Sequence, residues 1–382
     1  NAFTHDTRVQ KEARSLAEAG YAVTVFALHG GDLPESETRD RYRVERIKVR
    51  SRPWGTSPAL RSLKYLEFCL RAICRICRRH PDVVHAHDVN ALVPSFVAAR
   101  LARAKLIYDA HELWAERQAP LLRSDLLRRA VGTIERFLAR RADAVITVNP
   151  SIARFLEKKL QLSNTPPVLM HCQEYEDVER NNVLRDEFSI ADEQRIVIYP
   201  GLFAQGRGLE QLIQAAPHLD RAVLVLMGHD RMNGKLQSLV AEQGLEARVF
   251  IREPVPPSEV LHYVASADVG VMPTQSIDLS YHYGAGNKLF HYMMAGIPAA
   301  VSDQPEKRRI VETYDVGAVF DQTDPQDIAQ TINGLLNDAQ TYSRMSQRAR
   351  RAARERFNWQ IESRKLMNLY ENLQGTHDQF SQ

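Results

Sequence analysis

The stretch from Ser280 to Glu306, "SYHYGAGNKLFHYMMAGIPAAVSDQPE", holds the pattern that decides the fold. A glycine-broken loop leads into apolar residues at helical spacing, and the predicted helix ends at a Gly and a Pro. A short apolar strand, "AAVSD", follows directly. A helix that leads into a continuously apolar strand is typical of a parallel sheet with both faces covered.

The same alternation of short apolar strands and longer helices runs along the whole chain. The predicted strands span residues 22–28, 45–50, 82–86, 105–110, 144–148, 195–201, 222–228, 248–251, 269–273 and 299–303. The pattern predicts an α/β fold with parallel sheets. A chain of 382 residues, 44% hydrophobic and 25% charged, can bury two cores, and this composition argues against disorder.

An acidic, polar stretch over residues 171–194 separates the two halves. We predict two Rossmann-like domains, residues 1–175 and 176–358, with parallel sheets that face each other across a ligand cleft. A Rossmann-like domain normally opens with a strand, whereas this chain begins in what reads as the loop after one. We therefore expect the first strand of the N-terminal domain to be missing.

The net charge of +3 conceals two oppositely charged halves. Residues 1–170 carry 29 Lys and Arg against 18 Asp and Glu, or +11, while residues 171–382 carry 21 against 29, or −8. Because the two halves carry net charges of opposite sign, we expect them to bind different partners. Cys74 and Cys77 form a CxxC pair, but no second Cys or His pair at ligand spacing accompanies them, so we interpret them as packing residues.

No run of 18 or more apolar residues occurs, so we expect a cytoplasmic protein. Two basic segments, "RSLKYLEFCLRAICRICRRH" and "RSDLLRRAVGTIERFLARR", read equally well as solvated helix faces or as faces for an anionic membrane. The second interpretation would place the protein at the inner face of the plasma membrane. No recognised nucleic-acid-binding module accompanies the basic charge, so no nucleic acid partner is predicted.

Two segments of the second half are suited to phosphate. In "YPGLFAQGRGLEQLIQAA", a strand ends at Gly201, and a loop with Gly206, Arg207 and Gly208 leads into a helix. Glycines let the backbone approach a ligand, the helix start offers unpaired N–H groups, and arginine adds a forked donor. A glycine-rich turn with a solvated arginine remains the alternative.

The opening stretch repeats this arrangement. Gly284 and Gly286 lie in the loop, Asn287 is the expected N-cap, and Lys288 stands in the first turn, where the helix dipole disfavours a cation unless an anion is present. Two anion sites in one half indicate a diphosphate. Neither a GxGxxG following a strand nor a Walker pattern occurs, which disfavours dehydrogenases and P-loop proteins.

In the first half, polar residues follow two predicted strands. "AKLIYDAHELW" places Asp109, His111 and Glu112 at one strand end, and "VVHAHDVN" places His87 and Asp88 at another. Sites in α/β proteins form at such ends. A metal is one possibility, but without a further committed ligand we interpret these residues as polar strand ends and predict no metal.

Taken in order, these motifs resemble the retaining, nucleotide-sugar-dependent glycosyltransferases of family four (group 1), bacterial type, which have the GT-B fold. The resemblance extends over nearly the whole chain and includes "FTHDTRVQKEARSLAEAGYAVTVFA", "PDVVHAHD", "GNKLFHYMMAGIPAAVSD" and "RERFNWQIESRKLMNLYENL". It implies an acceptor-binding N-terminal domain and a donor-binding C-terminal domain. It also implies that a last helix, residues 359–382, returns to the N-terminal domain.

The resemblance further implies roles for individual residues. Arg207 and His111 take the catalytic positions, His111 towards the donor sugar, and Arg252 falls where the family's backbone meets the base. Expected at the donor diphosphate are Arg207, Gly286, Asn287, Lys288 and Leu289. Expected on the acceptor side are His5, Asp6, His87 and Asp109.

Three positions depart from the family. Its two hallmark glutamates fall at Tyr283 and His291, which we place at the base, ribose or sugar of the donor, and Leu202 stands where many relatives carry a second phosphate-binding Arg. A neutral histidine has one acceptor nitrogen and cannot hold both ribose hydroxyls as a carboxylate does. Weaker donor binding is therefore expected.

The predicted activity is transfer of a sugar from a nucleoside-diphosphate-sugar to a glycan or lipid-linked acceptor in bacterial polysaccharide biosynthesis. The resemblance implies retention of configuration. No carboxylate nucleophile is evident, so a front-side displacement is preferred, without metal or cofactor. The alternative is a degenerate GT-B protein with weak or no catalysis that serves as a partner or regulatory subunit.

Overall fold

A computed structural model describes residues 2–4, 6–55, 57–111, 113, 116 and 124–378; for residues 58 and 374–378 it describes the backbone alone. The chain divides into two compact units. Unit 1 comprises residues 1–170 and 362–382, and unit 2 comprises residues 171–361. The predicted boundaries, after residues 175 and 358, lie a few residues from these.

Unit 1 alternates strands and helices. Its strands are β1 (Thr24–Leu28), β2 (Ser36–Arg39), β3 (Tyr42–Ile47), β4 (Val83–His87), β5 (Lys105–Ala110) and β6 (Ala144–Thr147). Its helices are α1 (Thr7–Glu18), α2 (Pro58–Cys77), α3 (Asp88–Ala102), α4 (Asp125–Ala139) and α5 (Pro150–Leu160). Across the described residues, no helix of either unit has the length and apolar character needed to cross a bilayer.

The strands of unit 1 form two separate sheets. One has the order β1-β3-β2 and the other the order β4-β5-β6. All neighbours are parallel except β2, which pairs antiparallel with β3. The strand predicted at 45–50 lies at 42–47, where Val44 and Ile47 are fully buried. The sequence did not predict β2, because "SETR" is short, polar and half exposed.

A cavity of about 970 Å³ lies between the two sheets of unit 1 and is lined by both β1 and β4. Among the described residues, β1 pairs only with β3 and β4 pairs only with β5. Each strand therefore presents one edge without a neighbouring strand to the cavity. The strand expected to be missing from the N-terminal domain stays a prediction.

The last helix, α15 (Trp359–Asp378), joins unit 1 from Glu362 onwards. The Glu362 carboxylate accepts a hydrogen bond from the Met170 N–H at 2.9 Å. Leu366 is buried, and the Tyr370 hydroxyl lies 3.1 Å from His85 Nδ1. These contacts confirm the predicted return of the C-terminal helix.

Unit 2 contains one six-stranded parallel sheet with the order β12-β11-β10-β7-β8-β9. These strands are β7 (Arg195–Pro200), β8 (Ala222–Met227), β9 (Val249–Arg252), β10 (Val269–Met272), β11 (Ala299–Ser302) and β12 (Gly317–Phe320). The sequence did not predict β12, because "GAVF" is too short for periodicity to identify.

Helices pack around this sheet. They are α6 (Val183–Phe188), α7 (Leu209–Ala215), α8 (Lys235–Glu242), α9 (Val260–Val264), α10 (Leu279–Tyr283), α11 (Lys288–Ala295), α12 (Pro305–Tyr314), α13 (Pro325–Asn337) and α14 (Ala339–Glu355). All six side chains of β8 are buried, as expected for a strand covered on both faces. The loops at the carboxyl ends of β7, β10 and β11 carry the residues of interest.

Candidate functional site

Two glycines shape the loop that carries Arg207. Gly201, directly after β7, has φ +150°, and Gly208, directly before α7, has φ +71°. A Cβ at Gly208 would lie 1.8 Å from the carbonyl oxygen of Pro273, so the loop approaches the end of β10 more closely than any side chain allows. The guanidinium of Arg207 lies 5.0 Å from the centre of the Tyr281 ring. Its buried Nε has no hydrogen-bond partner.

Lys288 is the first residue of α11 and lies over Gly201. A Cβ at Gly201 would come within 2.4 Å of the Lys288 Cε. The side chain is partly exposed, but its Nζ lies 4.6 Å from the centre of the buried Tyr199 ring. Burial, then Arg207 and Lys307, lower the pKa of Lys288 to about 7.

Lys307, which the sequence analysis did not identify, lies in the first turn of α12. It is 1% exposed, and its Nζ donates to the Gln304 side-chain oxygen. Burial, then Arg207, lower the pKa of Lys307 to about 7. The segment "SDQPEK" carries the same signal as Lys288, a lysine in the first turn of a helix, where the helix dipole disfavours a cation.

We refer to Arg207, Lys288 and Lys307 as the cation cluster. None of the three forms an ion pair with a carboxylate among the residues that the structure describes. Clustered cations that burial and mutual repulsion both disfavour indicate a site for an anion. This arrangement can neutralise a phosphate group through charge-assisted hydrogen bonds.

The start of α11 differs from the prediction in one respect. Asn287 occupies the N-cap position, but its side chain forms no capping hydrogen bond; its Nδ2 lies 3.2 Å from His171 Nδ1. The N–H of Leu289 donates to the Gly286 carbonyl at 3.3 Å. Asn287 is therefore not a side-chain cap, and the Leu289 N–H already has a weak intramolecular acceptor.

The residues expected at the base, ribose or sugar are dispersed. The Nε of Arg252 lies 2.8 and 3.0 Å from the two carboxylate oxygens of Glu187, and its Nη2 donates to the Tyr263 hydroxyl at 2.7 Å. Tyr283 ends α10, whereas His291 lies on α11 three residues after Lys288 and is partly buried. His291 and Lys288 thus lie on the same helix. Arg252 instead binds Glu187 and Tyr263, both in unit 2.

In unit 1, His111 lies between two carboxylates. Its Nε2 is 2.9 Å from Asp88 Oδ2, and its Nδ1 is 3.5 Å from Asp109 Oδ2. Burial disfavours the charged ring, but Asp109 and Asp88 outweigh it and raise the pKa of His111 to about 10. His111 is therefore an imidazolium at neutral pH and a poor proton acceptor.

Asp109 was predicted on the acceptor side, and the structure places it inside unit 1. It is 0% exposed, and Arg8 donates to its two oxygens at 2.9 and 3.0 Å. Burial opposes ionisation, but Arg8, followed by His111 and His87, holds the pKa of Asp109 well below its usual range. Asp109 thus orients Arg8 and the two histidines, and its place on the acceptor side stays a prediction.

Glu12 is the most poorly satisfied group of this region. Both of its buried oxygens lack hydrogen-bond partners, although Arg8 Nε lies 3.1 Å from Oε1, and burial raises its pKa. Ligand atoms of Glu12, His85, His87 and Asp109 all lie within 4.8 Å of one another, so these residues could hold a metal ion. Arg8 already supplies positive charge to this group, and the predicted absence of a metal stays a prediction.

Of the other acceptor-side residues, His87 is partly buried, with Nδ1 3.2 Å from Asp109 Oδ2. The Asp6 side chain accepts a hydrogen bond from the Val9 N–H at 3.3 Å and caps α1. His5 lies outside the described residues.

Comparison with solved protein structures identifies the fold of the two units. The structure superposes on the sucrose-phosphate synthase of Thermosynechococcus elongatus with a TM-score of 0.80, 19% identity, and coverage of 96% of this chain and 93% of the other. It also superposes on Anabaena HepE in complex with UDP, with a TM-score of 0.69, 17% identity, and coverage of 92% and 100%. The two units and their parallel sheets thus form the GT-B glycosyltransferase fold.

Sequence comparison gives the family. The model "Glycosyl transferases group 1" matches residues 181–352, and "Glycosyl transferase 4-like domain" matches residues 5–172. An uncharacterised glycosyltransferase of Methanocaldococcus jannaschii is 25% identical over 374 residues, which cover 94% of this chain and 91% of the relative. The chain belongs to the group 1 glycosyltransferases.

The charge state of His111 can be measured directly. In a histidine-resolved NMR titration, the His111 ring, assigned with His111→Gln, should stay protonated up to pH about 10. Asp88→Asn should lower this pKa, because one of the two carboxylates loses its charge.

The raised pKa also predicts how the stability of the protein depends on pH. Because the pKa of His111 is higher in the folded than in the unfolded state, protonation of the ring stabilises the fold fully at pH values below the unfolded pKa of about 6.5. The stability advantage over His111→Gln should therefore decline as the pH rises from about 6.5 to 10; a ring that titrates near 6.5 would contradict this assignment.

Proposed function

We propose that this glycosyltransferase moves a sugar from a nucleoside-diphosphate-sugar to a glycan or lipid-linked acceptor with retention of configuration. The cation cluster carries the proposal, because its three basic side chains have no carboxylate partner among the residues that the structure describes. A diphosphate supplies the opposite charge at that position. The structural relative HepE, solved with UDP, supports a nucleoside diphosphate as the ligand class.

In the proposed reaction, the bond between the sugar C1 and the diphosphate oxygen breaks, and its electron pair stays with the diphosphate. The acceptor hydroxyl oxygen forms the new bond to C1 on the same face, and its proton passes to the departing phosphate oxygen. The leaving group gains negative charge as the bond breaks. Arg207 and Lys288 stabilise that charge most in the transition state, which lowers the barrier.

The protonation state of His111 limits its role. The resemblance assigns His111 to the donor sugar, and an imidazolium held between Asp88 and Asp109 can donate hydrogen bonds but is a poor base. We propose that it stabilises developing negative charge and orients the sugar.

We also propose that transfer needs no metal, because the cation cluster supplies the charge that a divalent ion would otherwise provide. Addition of a chelator should therefore leave turnover unchanged.

Arg207 and Lys288 provide the first test of the site. In calorimetry against UDP, GDP, ADP and dTDP, the unmodified chain should bind at least one, and Arg207→Ala or Lys288→Met should each weaken it about ten- to hundredfold, as expected for loss of a charge-assisted hydrogen bond. Lys235→Met is the matched control, since Lys235 is exposed in the same unit and pairs with Glu210. Anomeric analysis of the product by NMR tests retention.

Two outcomes would contradict the proposal. Absence of binding to all four nucleotides would favour the degenerate GT-B partner that Tyr283 and His291 first suggested. Full turnover of the corresponding sugar donors by both Arg207→Ala and His111→Ala would remove these residues from the catalytic machinery.

A substitution at His291 is expected to strengthen nucleotide binding, whereas the substitutions above are expected to weaken it. A carboxylate at this position could accept hydrogen bonds from both ribose hydroxyls, which one histidine nitrogen cannot. His291→Glu should therefore raise the affinity for the preferred nucleoside diphosphate about tenfold, and should raise that for its 2′,3′-dideoxy analogue much less. Gln243→Glu, at the C-cap of α8, is the control substitution. Equal gains for both ligands would place the ribose elsewhere.

We also propose that unit 1 meets an anionic membrane through α4. This helix exposes Leu126, Leu127, Ile134 and Phe137, the first at 79%, among several arginines. Exposed apolar side chains beside arginines suit the boundary between headgroups and acyl chains. A lipid-linked acceptor would be found at the same surface.

Vesicle co-sedimentation tests the membrane proposal. Binding should rise when phosphatidylglycerol is added to phosphatidylcholine vesicles and should fall with salt, because arginine charge is screened. The double variant Leu126→Ser/Phe137→Ser should release most of the bound protein. Ile277→Ser, which removes an exposed apolar side chain from the acidic unit, should not. Binding independent of phosphatidylglycerol would count against the membrane role of α4.

A further inference from the structure

Three properties of Lys307 are each unfavourable for a cation. It is 1% exposed, it lies in the first turn of α12, where the helix dipole is positive, and Arg207 lies close enough to lower its pKa. Its hydrogen-bond partner, the Gln304 amide oxygen, is neutral. Nothing in the described part of unit 2 offsets these costs with negative charge.

Hydrogen bonds fix the start of α12 beside the arginine loop. Gln304 Nε2 donates to the Thr274 carbonyl at 2.9 Å and to Ser276 Oγ at 3.0 Å. The N–H of Gln275, between these two residues, donates to the Gly206 carbonyl at 2.9 Å. Lys307 is therefore linked to Gly206, the residue before Arg207, through Gln304 and then through the segment 274–276.

The resemblance leaves a deficit of charge in this site. The family resemblance implies a second phosphate-binding arginine at the position of Leu202, directly after Gly201, and this chain has leucine there. Arg207 and Lys288 would then be the only two cations expected at the diphosphate. Lys307 restores the number to three from a different helix.

We propose that Lys307 binds the donor diphosphate directly, as a third phosphate-binding cation beside Arg207 and Lys288. The inference rests on the proposed function and adds a residue to which the family resemblance assigns no role. Lys307 contributes most after the C1–O bond has broken, because the departing nucleoside diphosphate carries more negative charge than the intact donor.

A structural role for Lys307 predicts different behaviour. If its amine served only to hold Gln304, removing it would break a buried hydrogen bond and lower the stability of the ligand-free protein. If it binds phosphate, the ligand-free protein holds a buried lysine whose charged form has no negative partner and is disfavoured. An apolar replacement of similar length should then leave stability unchanged or raise it, while phosphate affinity falls.

The experiment compares the full chain with Lys307→Met and Lys307→Gln, with Lys235→Met as the control. Calorimetry with inorganic pyrophosphate, with the preferred nucleoside diphosphate and with its unphosphorylated nucleoside gives the affinities, and thermal unfolding without ligand gives the stability. Both Lys307 variants should lose about ten- to hundredfold in affinity for the two phosphorylated ligands. The nucleoside affinity and the ligand-free melting temperature should not fall.

The outcomes separate this inference from the proposed function. Unchanged pyrophosphate and nucleotide affinity in both variants, beside a loss in Arg207→Ala, would overturn the role of Lys307 and leave the donor site standing. Parallel loss of nucleoside and nucleotide affinity in both variants would also overturn it, since phosphate would then not be what Lys307 recognises. No binding of any nucleoside diphosphate by the unmodified chain would overturn the proposed function itself.

Discussion

Unit 2 is organised around positive charge that its own carboxylates do not neutralise. The cation cluster lies where β7 and β11 end, and two constraints hold it there: the close approach permitted by Gly201 and Gly208, and aromatic faces under the cations. Aromatic rings attract cations without neutralising them. Binding of an anion would therefore relieve an electrostatic cost that the ligand-free protein bears. The identities of Gly201, Gly208, Tyr199 and Tyr281 are constrained by this requirement as well as by packing.

In unit 1 the buried charge that needs a partner is negative. Its buried carboxylate Asp109 is neutralised within the unit by the Arg8 guanidinium and the His111 imidazolium. A pair of this kind costs desolvation that is recovered only with good geometry, and the two-point contact of Arg8 with Asp109 provides it. The polar strand ends that look like a ligand site in the sequence are in large part an internal network that orients His111.

The sequence was sufficient for the features that are repeated or chemically distinctive. Buried parallel strands such as β8 are continuously apolar, and the glycine loop and Lys288 were identified by helix-terminus electrostatics alone. Short strands such as β2 and β12 were missed, because a few residues carry no periodicity. The enclosure of Asp109 by Arg8 joins residues 101 positions apart, and no local pattern indicates such a pair. Lys307 was not identified, although it too is a lysine in the first turn of a helix, the one that follows β11.

The return of α15 to unit 1 has a consequence for biosynthesis. Unit 2 is one continuous segment, so all of its strands are synthesised before the last helix of unit 1. Until then, the surface that receives Leu366 and Tyr370, beside His85, remains uncovered in the nascent chain. Domains usually fold from the N-terminus as they emerge, whereas unit 1 is completed only by α15, which is synthesised after the strands of unit 2.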